Sequence, residues 1–315
     1  MKTLTALFVG LGSIGTRHLN NLADLCADRG WTLQADALRS DVTRPLRPGV
    51  AEKLHTQYTD VTALPAHYDL VFITNPTSLH AEALRTVYGR GEALFIEKPI
   101  FSAEQSHLDL GDYLPAGQKA YVAAPMRWCG TMLALKKALP ALSVYSARVL
   151  CSSYLPGWRP GVDYRTVYSA HKDMGGGVTI DLIHEWDYLV ELFGKPEKMY
   201  NFKGTYSHLE IDSDDLSVYI AQYPTLLCEV HLDYFGREYR RSIELLCKNG
   251  TVTADFGAGT LTLEDGTVQN YAEPVNERYL REMAYFLDYA QSGAGPSVNT
   301  PETALDVLKL TLGEL

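Results

Sequence analysis

The feature of this sequence that most restricts its fold is the alternation of short apolar runs with segments of helical pattern between Leu4 and about Ala124. The helical patterns cover Ile14 to Asp28, Ser78 to Gly89 and Ala103 to Leu114. The apolar runs between them read LTALFV, TLQADAL, YDLVFIT, ALFI and KAYVAA. Strands that alternate with helices pair in parallel through right-handed crossovers. Residues 1–124 are therefore predicted to form an α/β domain with a doubly wound parallel sheet.

The pattern changes in residues 125–315, where strand-like runs follow one another with few helices between them. Asn249-Gly250 and Asp265-Gly266 separate alternating segments, and such dipeptides are strong signals for hairpin turns. Helical patterns remain near Thr131 to Leu139, at Asn276 to Ala290 and at Pro301 to Leu312. This half is predicted to form a second α/β domain whose sheet is mostly antiparallel.

Composition narrows the class of partner. The formal net charge of −10 argues against broad binding to nucleic acid or to an anionic membrane, because both require clustered Lys and Arg. No apolar run approaches the length of a membrane span. Five cysteines without a CxxC pair suit reduced thiols. We therefore expect a cytoplasmic protein with a small-molecule ligand.

The motif GLGSIG, residues 10–15, follows the first strand-like run and opens the first helical pattern. In this setting it matches the dinucleotide-binding fingerprint of a Rossmann domain. Gly10 would permit the tight turn, Gly12 would let the backbone approach a pyrophosphate, and Gly15 would allow close packing of the helix. The phosphates would bind amide groups at the positive end of the helix dipole, which makes Ser13 and Ile14 candidate contacts.

The end of the second strand distinguishes NAD from NADP, because an acidic side chain there binds a ribose hydroxyl and a basic one accepts a 2′-phosphate. The sequence at this point is ADALRSD. Arg39 and Ser40 at the strand end would favour NADP, with Arg44 or Arg47 assisting. If the strand ends earlier, Asp36 would favour NAD. We expect NADP, with NAD as the alternative.

Two later segments, FIEKPIF at 95–101 and SAHKDMGGGVTIDLIHEWDYLVELFG at 169–194, extend this interpretation. Together with GLGSIGTRH, the chain resembles the Gfo/Idh/MocA family of nicotinamide-dependent sugar and cyclitol oxidoreductases. The resemblance implies a Rossmann domain followed by an α/β domain with an open, largely antiparallel sheet. It also implies a carbohydrate substrate and assembly into a homodimer or homotetramer. The corresponding function is hydride transfer between nicotinamide and a secondary alcohol or ketone of a sugar, nucleotide sugar or cyclitol.

The resemblance assigns chemistry to four residues. Lys98 follows a strand's carboxyl end, where its ammonium could hold the reacting oxygen and stabilise an alkoxide. His184 is the expected acid or base. Asp181, three residues earlier and thus on a similar helix face, would bind a substrate hydroxyl or orient the imidazole. Glu97 is expected beside the cofactor, pairing with a charged neighbour or orienting Lys98.

Further candidates are supporting residues. Asn75 and Pro76, which follow the VFIT strand, are expected cofactor neighbours, and His80 either joins them or caps a helix. Arg127 matches a family arginine expected to reach the substrate. Tyr164 and Arg165 lie in a long loop whose length suggests a substrate-binding loop. No three or four residues have the spacing of a familiar metal site, so we expect no metal.

Two other functions remain open at this point. The chain could be a sensor of the same fold that binds a dinucleotide or sugar without reacting it, although Lys98 and His184 argue for an enzyme. It could also be a family member that catalyses a redox-neutral elimination or hydrolysis with a retained cofactor.

Overall fold

The computed structural model describes residues 2–292 and 295–315. The chain forms two compact units. The first runs to Ala123 and includes Tyr279–Leu305, and the second comprises Ala124–Arg278 and Asp306–Leu315. None of the described helices combines the length and the apolar character that crossing a membrane requires.

The first unit contains a six-stranded sheet in which all neighbours are parallel. Its strands are β1 (Thr3–Val9), β2 (Thr32–Leu38), β3 (Leu54–Tyr58), β4 (Tyr68–Ile73), β5 (Gly91–Ile96) and β6 (Lys119–Val122). Helix α1 (Ser13–Asp28) follows β1, and α2 (His80–Thr86) follows β4. The strand order β3-β2-β1-β4-β5-β6 confirms the Rossmann prediction and places the topological switch between β1 and β4.

Two elements of this unit differ from the sequence-based expectation. Strand β3 has no apolar run to reveal it, because half-buried and exposed positions alternate along LHTQY at the sheet edge. Residues 103–114 form two single 3₁₀ turns instead of a helix. Ser102 and Gln105 form a capping box at the first of these turns, but Asp109 accepts from the Gly111 amide and begins a separate turn.

Aromatic rings form much of the core of the first unit. Phe8 stacks on Phe72 with ring centroids 4.4 Å apart, and Phe95 lies 5.4 Å from Phe72. Phe286 packs edge-on against Phe95 at 5.2 Å. Phe286 belongs to helix α6 (Val275–Gln291), most of which is therefore part of the Rossmann unit. Residues 125–315 were all predicted to lie in the second domain, and the apolar face of α6 is the reason for the difference.

The second unit contains an eight-stranded sheet that is mostly antiparallel, as predicted. Its strands are β7 (Val144–Tyr154), β8 (Lys198–Gly204), β9 (Leu216–Gln222), β10 (Leu227–Asp233), β11 (Phe235–Cys247), β12 (Thr251–Asp255), β13 (Thr260–Thr262) and β14 (Val268–Asn270). Their order is β14-β13-β12-β11-β7-β10-β9-β8, with β7 and β10 parallel. Asn249-Gly250 and Asp265-Gly266 both lie in turns between antiparallel strands.

Helices α3 (Gly130–Ala138), α4 (Val178–Asp181) and α5 (His184–Phe193) belong to this unit, and α7 (Pro301–Leu312) ends in it. Trp186 of α5 is fully buried and packs edge-on against Tyr219 of β9. On the edge strand β8, by contrast, Tyr200 and Phe202 are 66% and 70% exposed. The homodimer or homotetramer stays a prediction.

Candidate active site

The glycine turn, residues 10–15, follows the carboxyl end of β1 and packs against the residues that follow β4. Gly10 has a φ of +88°, and a Cβ there would lie 2.8 Å from the Asn75 Cα. A Cβ on Gly15 would lie 2.7 Å from both the Gly10 carbonyl oxygen and the Thr74 Oγ1. The Thr74 hydroxyl donates to that same carbonyl at 2.6 Å. Only glycine allows β1, α1 and β4 to approach so closely.

Gly12 differs from its two partners. It is exposed, and a Cβ on it would meet no protein atom within 4 Å. Helix α1 begins at the exposed Ser13, has no acidic residue in its first turn, and no hydrogen bond from a described side chain caps its start. The first amide groups and the positive end of the helix dipole therefore face open space. Gly12, Ser13 and the half-buried Ile14 fit a dinucleotide pyrophosphate.

This contrast predicts opposite effects for two alanine substitutions. We expect Gly12→Ala to weaken dinucleotide binding and to leave the melting temperature unchanged, because its methyl group occupies space that only a ligand needs. Gly15→Ala should instead cost about 1–3 kcal/mol of unfolding free energy through overpacking. Calorimetric titration with NADPH and thermal unfolding of both variants would check this. Equal destabilisation by the two substitutions would contradict it.

Asp36 and Arg39, the residues predicted to distinguish NAD from NADP, differ from each other in their surroundings. Asp36 lies inside β2 and is buried, and it accepts hydrogen bonds from the Tyr68 hydroxyl at 2.9 Å and His55 Nδ1 at 3.1 Å. Strand β2 ends at Leu38, so Arg39 and the exposed Ser40 follow the strand end directly. Both carboxylate oxygens of Asp36 are engaged within the first unit.

After β4, Asn75 and Pro76 form the turn that approaches Gly10. The Asn75 amide nitrogen donates to the Leu79 carbonyl at 3.2 Å, while its Oδ1 is a buried acceptor without a partner among the described residues. Pro76 is exposed. An unpartnered acceptor beside the glycine turn is what a ligand with hydrogen-bond donors would satisfy.

His80, which was predicted to be a cofactor neighbour or a helix cap, lies in the interior of the first unit. Its ring is only 1% exposed, with Nε2 3.1 Å from the Asn75 carbonyl oxygen and Nδ1 3.0 Å from that of Pro99. Burial lowers the pKa of His80, although these carbonyl groups oppose the shift. The imidazole therefore links the Asn75 turn to the segment after β5 instead of facing solvent.

Glu97 and Lys98 follow the carboxyl end of β5. Glu97 is buried, and its carboxylate accepts from His18 Nε2 of α1 at 2.6 Å and from the Lys98 amide at 3.1 Å. Burial opposes ionisation of Glu97, but the His18 hydrogen bond and the nearby charges hold the pKa of this carboxyl below its ordinary value of 4.5. The half-buried Lys98 side chain has no hydrogen-bond or ion-pair partner among the described residues. Its backbone is thus fixed while its ammonium is available.

The lowered pKa of Glu97 has a consequence for acid stability. Its stabilising effect is complete above the unfolded-state pKa near 4.5 and is lost as the pH falls through the lower folded-state pKa. We expect Glu97→Gln to be less stable than the wild type at neutral pH and to lose less stability on acidification. Denaturant unfolding from about pH 6 to about pH 3 would show this. Glu92→Gln, on an exposed side chain of the same strand, is the control, and parallel curves for Glu97→Gln and the wild type would contradict the prediction.

In the second unit, Asp181 and His184 do not share one continuous helix. Helix α4 ends at Asp181, and α5 begins at His184 after a turn through Leu182 and Ile183. Asp181 is buried and accepts from the Tyr168 hydroxyl at 2.6 Å and the Tyr234 hydroxyl at 2.5 Å. Both oxygens of Asp181 therefore bind tyrosine phenols, while His184 is half-buried.

The glycines before α4 are required by close contacts. A Cβ on Gly176 would lie 2.1 Å from the Tyr168 carbonyl oxygen, and Gly177 has a φ of +124° beside the Asp214 carboxylate. Asp214 Oδ2 in turn accepts from the Thr179 amide at 2.9 Å and from its hydroxyl at 2.6 Å. These contacts fix the backbone that leads to Asp181.

The predicted substrate-binding residues have different positions. Tyr164 is half-buried, and its hydroxyl accepts from the Glu210 amide at 3.2 Å. Arg165 is exposed and pairs with Asp163 at 2.8 Å and Glu210 at 3.0 Å. Both side chains stay at the surface of the loop, where a ligand could reach them.

Arg127 differs from the expectation that it reaches a substrate. Its guanidinium is 5% exposed and forms a two-pronged ion pair with Asp187, at 2.9 and 2.8 Å. It also donates to Glu191 at 2.8 Å, and Glu191 binds Lys136. Burial raises the pKa of Asp187, and Arg127 opposes the shift. Arg127 is an internal link between the 3₁₀ turn at Pro125–Trp128 and α5.

Three residues that bind predicted site residues were not predicted from the sequence: His18, Tyr168 and Tyr234. His18 stands three residues after Gly15, so it lies near it on the helix, and the motif GLGSIGTRH contained the signal. Tyr234 had no such signal, because its partner Asp181 is 53 residues away.

A cavity of about 460 Å³ lies elsewhere in the first unit. Its lining includes Lys119, the first residue of β6, together with Tyr289 and Glu302. Ligands of doubly wound sheets bind at the carboxyl ends of the strands, whereas this cavity adjoins an amino end. It is therefore separate from the glycine turn and Lys98.

Comparison with known proteins agrees with this geometry. Residues 4–113 match the model of the Gfo/Idh/MocA family, described as an oxidoreductase family with an NAD-binding Rossmann fold. The matched segment contains the glycine turn, Asn75 and Lys98. No curated protein sequence matches the chain.

Solved structures resemble the whole chain. A UDP-N-acetylglucosamine 3-dehydrogenase from Acidithiobacillus ferrooxidans has a TM-score of 0.77 at 18% identity, covering 99% of this chain and 97% of its own. A myo-inositol 2-dehydrogenase from Lactobacillus plantarum has a TM-score of 0.77 at 19% identity, covering 99% and 96%. A levoglucosan dehydrogenase in complex with NADH and levoglucosan has a TM-score of 0.80 at 16% identity, covering 98% and 95%. At these identities the likeness shows a shared fold.

Proposed function

We propose that this protein is an NAD(P)-dependent oxidoreductase that transfers a hydride between nicotinamide and a secondary alcohol or ketone of a sugar, nucleotide sugar or cyclitol. The observation that carries the proposal is Lys98, whose ammonium lacks a protein partner among the described residues and follows a strand of a Gfo/Idh/MocA Rossmann unit. The dehydrogenase names of the structures with the same fold support the reaction class.

The nicotinamide would supply the hydride acceptor or donor. Gly12, Ser13 and the start of α1 would hold the pyrophosphate through backbone amides, and Asn75 would bind the adjoining part of the cofactor. The Lys98 ammonium would hold the reacting oxygen and stabilise the negative charge that develops on it. His184 would carry the proton, because imidazole exchanges protons near neutral pH. Asp181 would act through the two tyrosine phenols that it binds.

We further propose a preference for NADP. Asp36 is buried within β2 with both oxygens engaged, whereas Arg39 directly follows the strand. The Arg39 guanidinium binds the Gln57 side chain at 2.7 Å and the Arg44 carbonyl at 2.6 Å, both of them neutral groups, so its positive charge has no ion-pair partner among the described residues. A 2′-phosphate is a suitable partner for that charge.

Calorimetric titration with NADPH and with NADH tests the proposal, after a check that no nucleotide co-purifies. Selective binding of NADPH that is lost in Arg39→Ala supports the NADP preference, and a preference for NADH overturns it. Protein saturated with cofactor is then assayed with UDP-N-acetylglucosamine, myo-inositol and levoglucosan. Turnover without net consumption of nicotinamide would indicate the redox-neutral alternative. If no dinucleotide binds or co-purifies, the proposed function is wrong.

A further inference from the structure

An exposed tryptophan in the second unit has two neighbours that hold its ring in place. Trp158 is 39% exposed, yet its indole nitrogen donates to the Ser153 hydroxyl at 3.1 Å. Its ring meets Tyr234 edge-on, with centroids 5.2 Å apart and an interplanar angle of 89°. A large apolar ring fixed at the surface is typical of a binding surface, because little side-chain entropy is lost when a ligand packs against it.

The same contacts connect Trp158 to Asp181. Tyr234 is fully buried and donates to one oxygen of Asp181, while the 43% exposed Tyr168 donates to the other. We call Trp158, Tyr168, Tyr234 and Asp181 the aromatic corner. It presents two partly exposed aromatic side chains: Tyr168 donates to the buried Asp181 carboxylate, and Trp158 packs on Tyr234, which donates to the same carboxylate. Asp181 lies three residues before His184 in the sequence.

One arginine adjoins the aromatic corner. Arg159 lies 5.9 Å from the centre of the Tyr168 ring and is exposed. In the described part of the chain its guanidinium forms no ion pair, although the protein has a net charge of −10.

We propose that the aromatic corner binds the pyranose ring of an anionic sugar, with Trp158 against the apolar face of the ring and Arg159 on its carboxylate or phosphate. The ring faces of Trp158 and Tyr168 match the C–H face of a sugar, and a guanidinium binds either anion through paired N–H groups. This inference rests on the proposed function, because it names the substrate class of the same enzyme.

Calorimetric titration of the full chain, with and without NADPH, tests the inference. The probes are glucuronate, glucose 6-phosphate and UDP-N-acetylglucosamine, with neutral glucose as the reference. We expect at least one anionic probe to bind more tightly than glucose, and Trp158→Ala to weaken that binding roughly ten- to thirtyfold. Arg159→Leu should weaken binding of the anionic probe but not of glucose, and should reduce the dependence of binding on salt. Comparing the affinity for glucuronate with the affinities for the two phosphate compounds shows whether a carboxylate or a phosphate is preferred.

Phe202→Ala, which removes an exposed aromatic ring from β8, is the matched control and should leave the affinity unchanged. The inference is overturned if no anionic probe binds, if glucose binds equally well, or if Trp158→Ala binds the probe like the wild type. Failure of the proposed function is separate from these outcomes. If binding depends on Trp158 but no hydride is transferred, the proposed function alone is overturned. If the enzyme turns over and Trp158→Ala leaves KM unchanged, the proposed sugar site at the aromatic corner alone is overturned.

Discussion

Lys98→Met should reduce kcat by roughly 10²- to 10⁴-fold and leave the affinity for NADPH unchanged. Methionine has a similar length and no charge, so the substitution removes the ammonium from the carboxyl end of β5 with little change in packing. Because Lys98 binds no described side chain, its loss leaves no protein group unpaired, and the melting temperature should change little. The fall in kcat is expected because the reacting oxygen would have no positive group beside it as negative charge develops.

The measurement combines steady-state turnover, calorimetric titration with NADPH and thermal unfolding. Lys195→Met is the matched control, because Lys195 is an exposed lysine paired with Asp306. Lys98→Arg tests whether the geometry of the positive group matters as well as its charge, because a guanidinium keeps the charge but presents it in a different geometry. Undiminished turnover of Lys98→Met would remove this residue from the chemistry, and loss of NADPH binding would show a cofactor role instead.

The sequence predicted the fold best where local pattern and tertiary structure agree. The parallel strands of the Rossmann unit are buried apolar runs, so β1, β4 and β5 were visible without any knowledge of their neighbours. Helix α6 was predicted at nearly its observed position, but not its place in the first unit. That place depends on the contact of Phe286 with Phe95, which no local pattern contains.

The candidate site was likewise predictable where it depends on local sequence and not where it depends on tertiary contacts. The glycine turn follows from backbone constraints, and Gly10, Gly12 and Gly15 have the geometry expected of a tight turn, an open approach and close helix packing. Side-chain partners follow from the fold and were not predictable in this way. The helical spacing placed Asp181 with His184, whereas the chain turns between them and Asp181 binds two tyrosines.

Arg127 is the clearest test of that difference, because the family pattern and the geometry give it different tasks. We expect Arg127→Leu to lower the free energy of unfolding by about 3–5 kcal/mol, since it leaves Asp187 buried without its partner. The melting temperature should fall by on the order of 10 °C. A residue that only contacted substrate would raise KM and leave thermal unfolding unchanged.

The pH dependence separates a lost ion pair from a simple cavity. Burial raises the pKa of Asp187 above its ordinary 3.8 even with Arg127 present, and removing the arginine should raise this pKa further. A carboxyl whose folded pKa is raised destabilises the protein at higher pH and ceases to do so once it is protonated. The stability gap between Arg127→Leu and the wild type should therefore narrow as the pH is lowered from 7 towards about 4.

Arg165→Leu is the control for this series, because its ion pairs with Asp163 and Glu210 are exposed and surface pairs contribute little. The double variant Arg127→Leu with Asp187→Leu should recover part of the lost stability, since it removes the buried charge together with its partner. A gap that stays constant with pH, or a double variant less stable than Arg127→Leu, would show that packing by the Arg127 side chain, and not its charge, holds the 3₁₀ turn to α5.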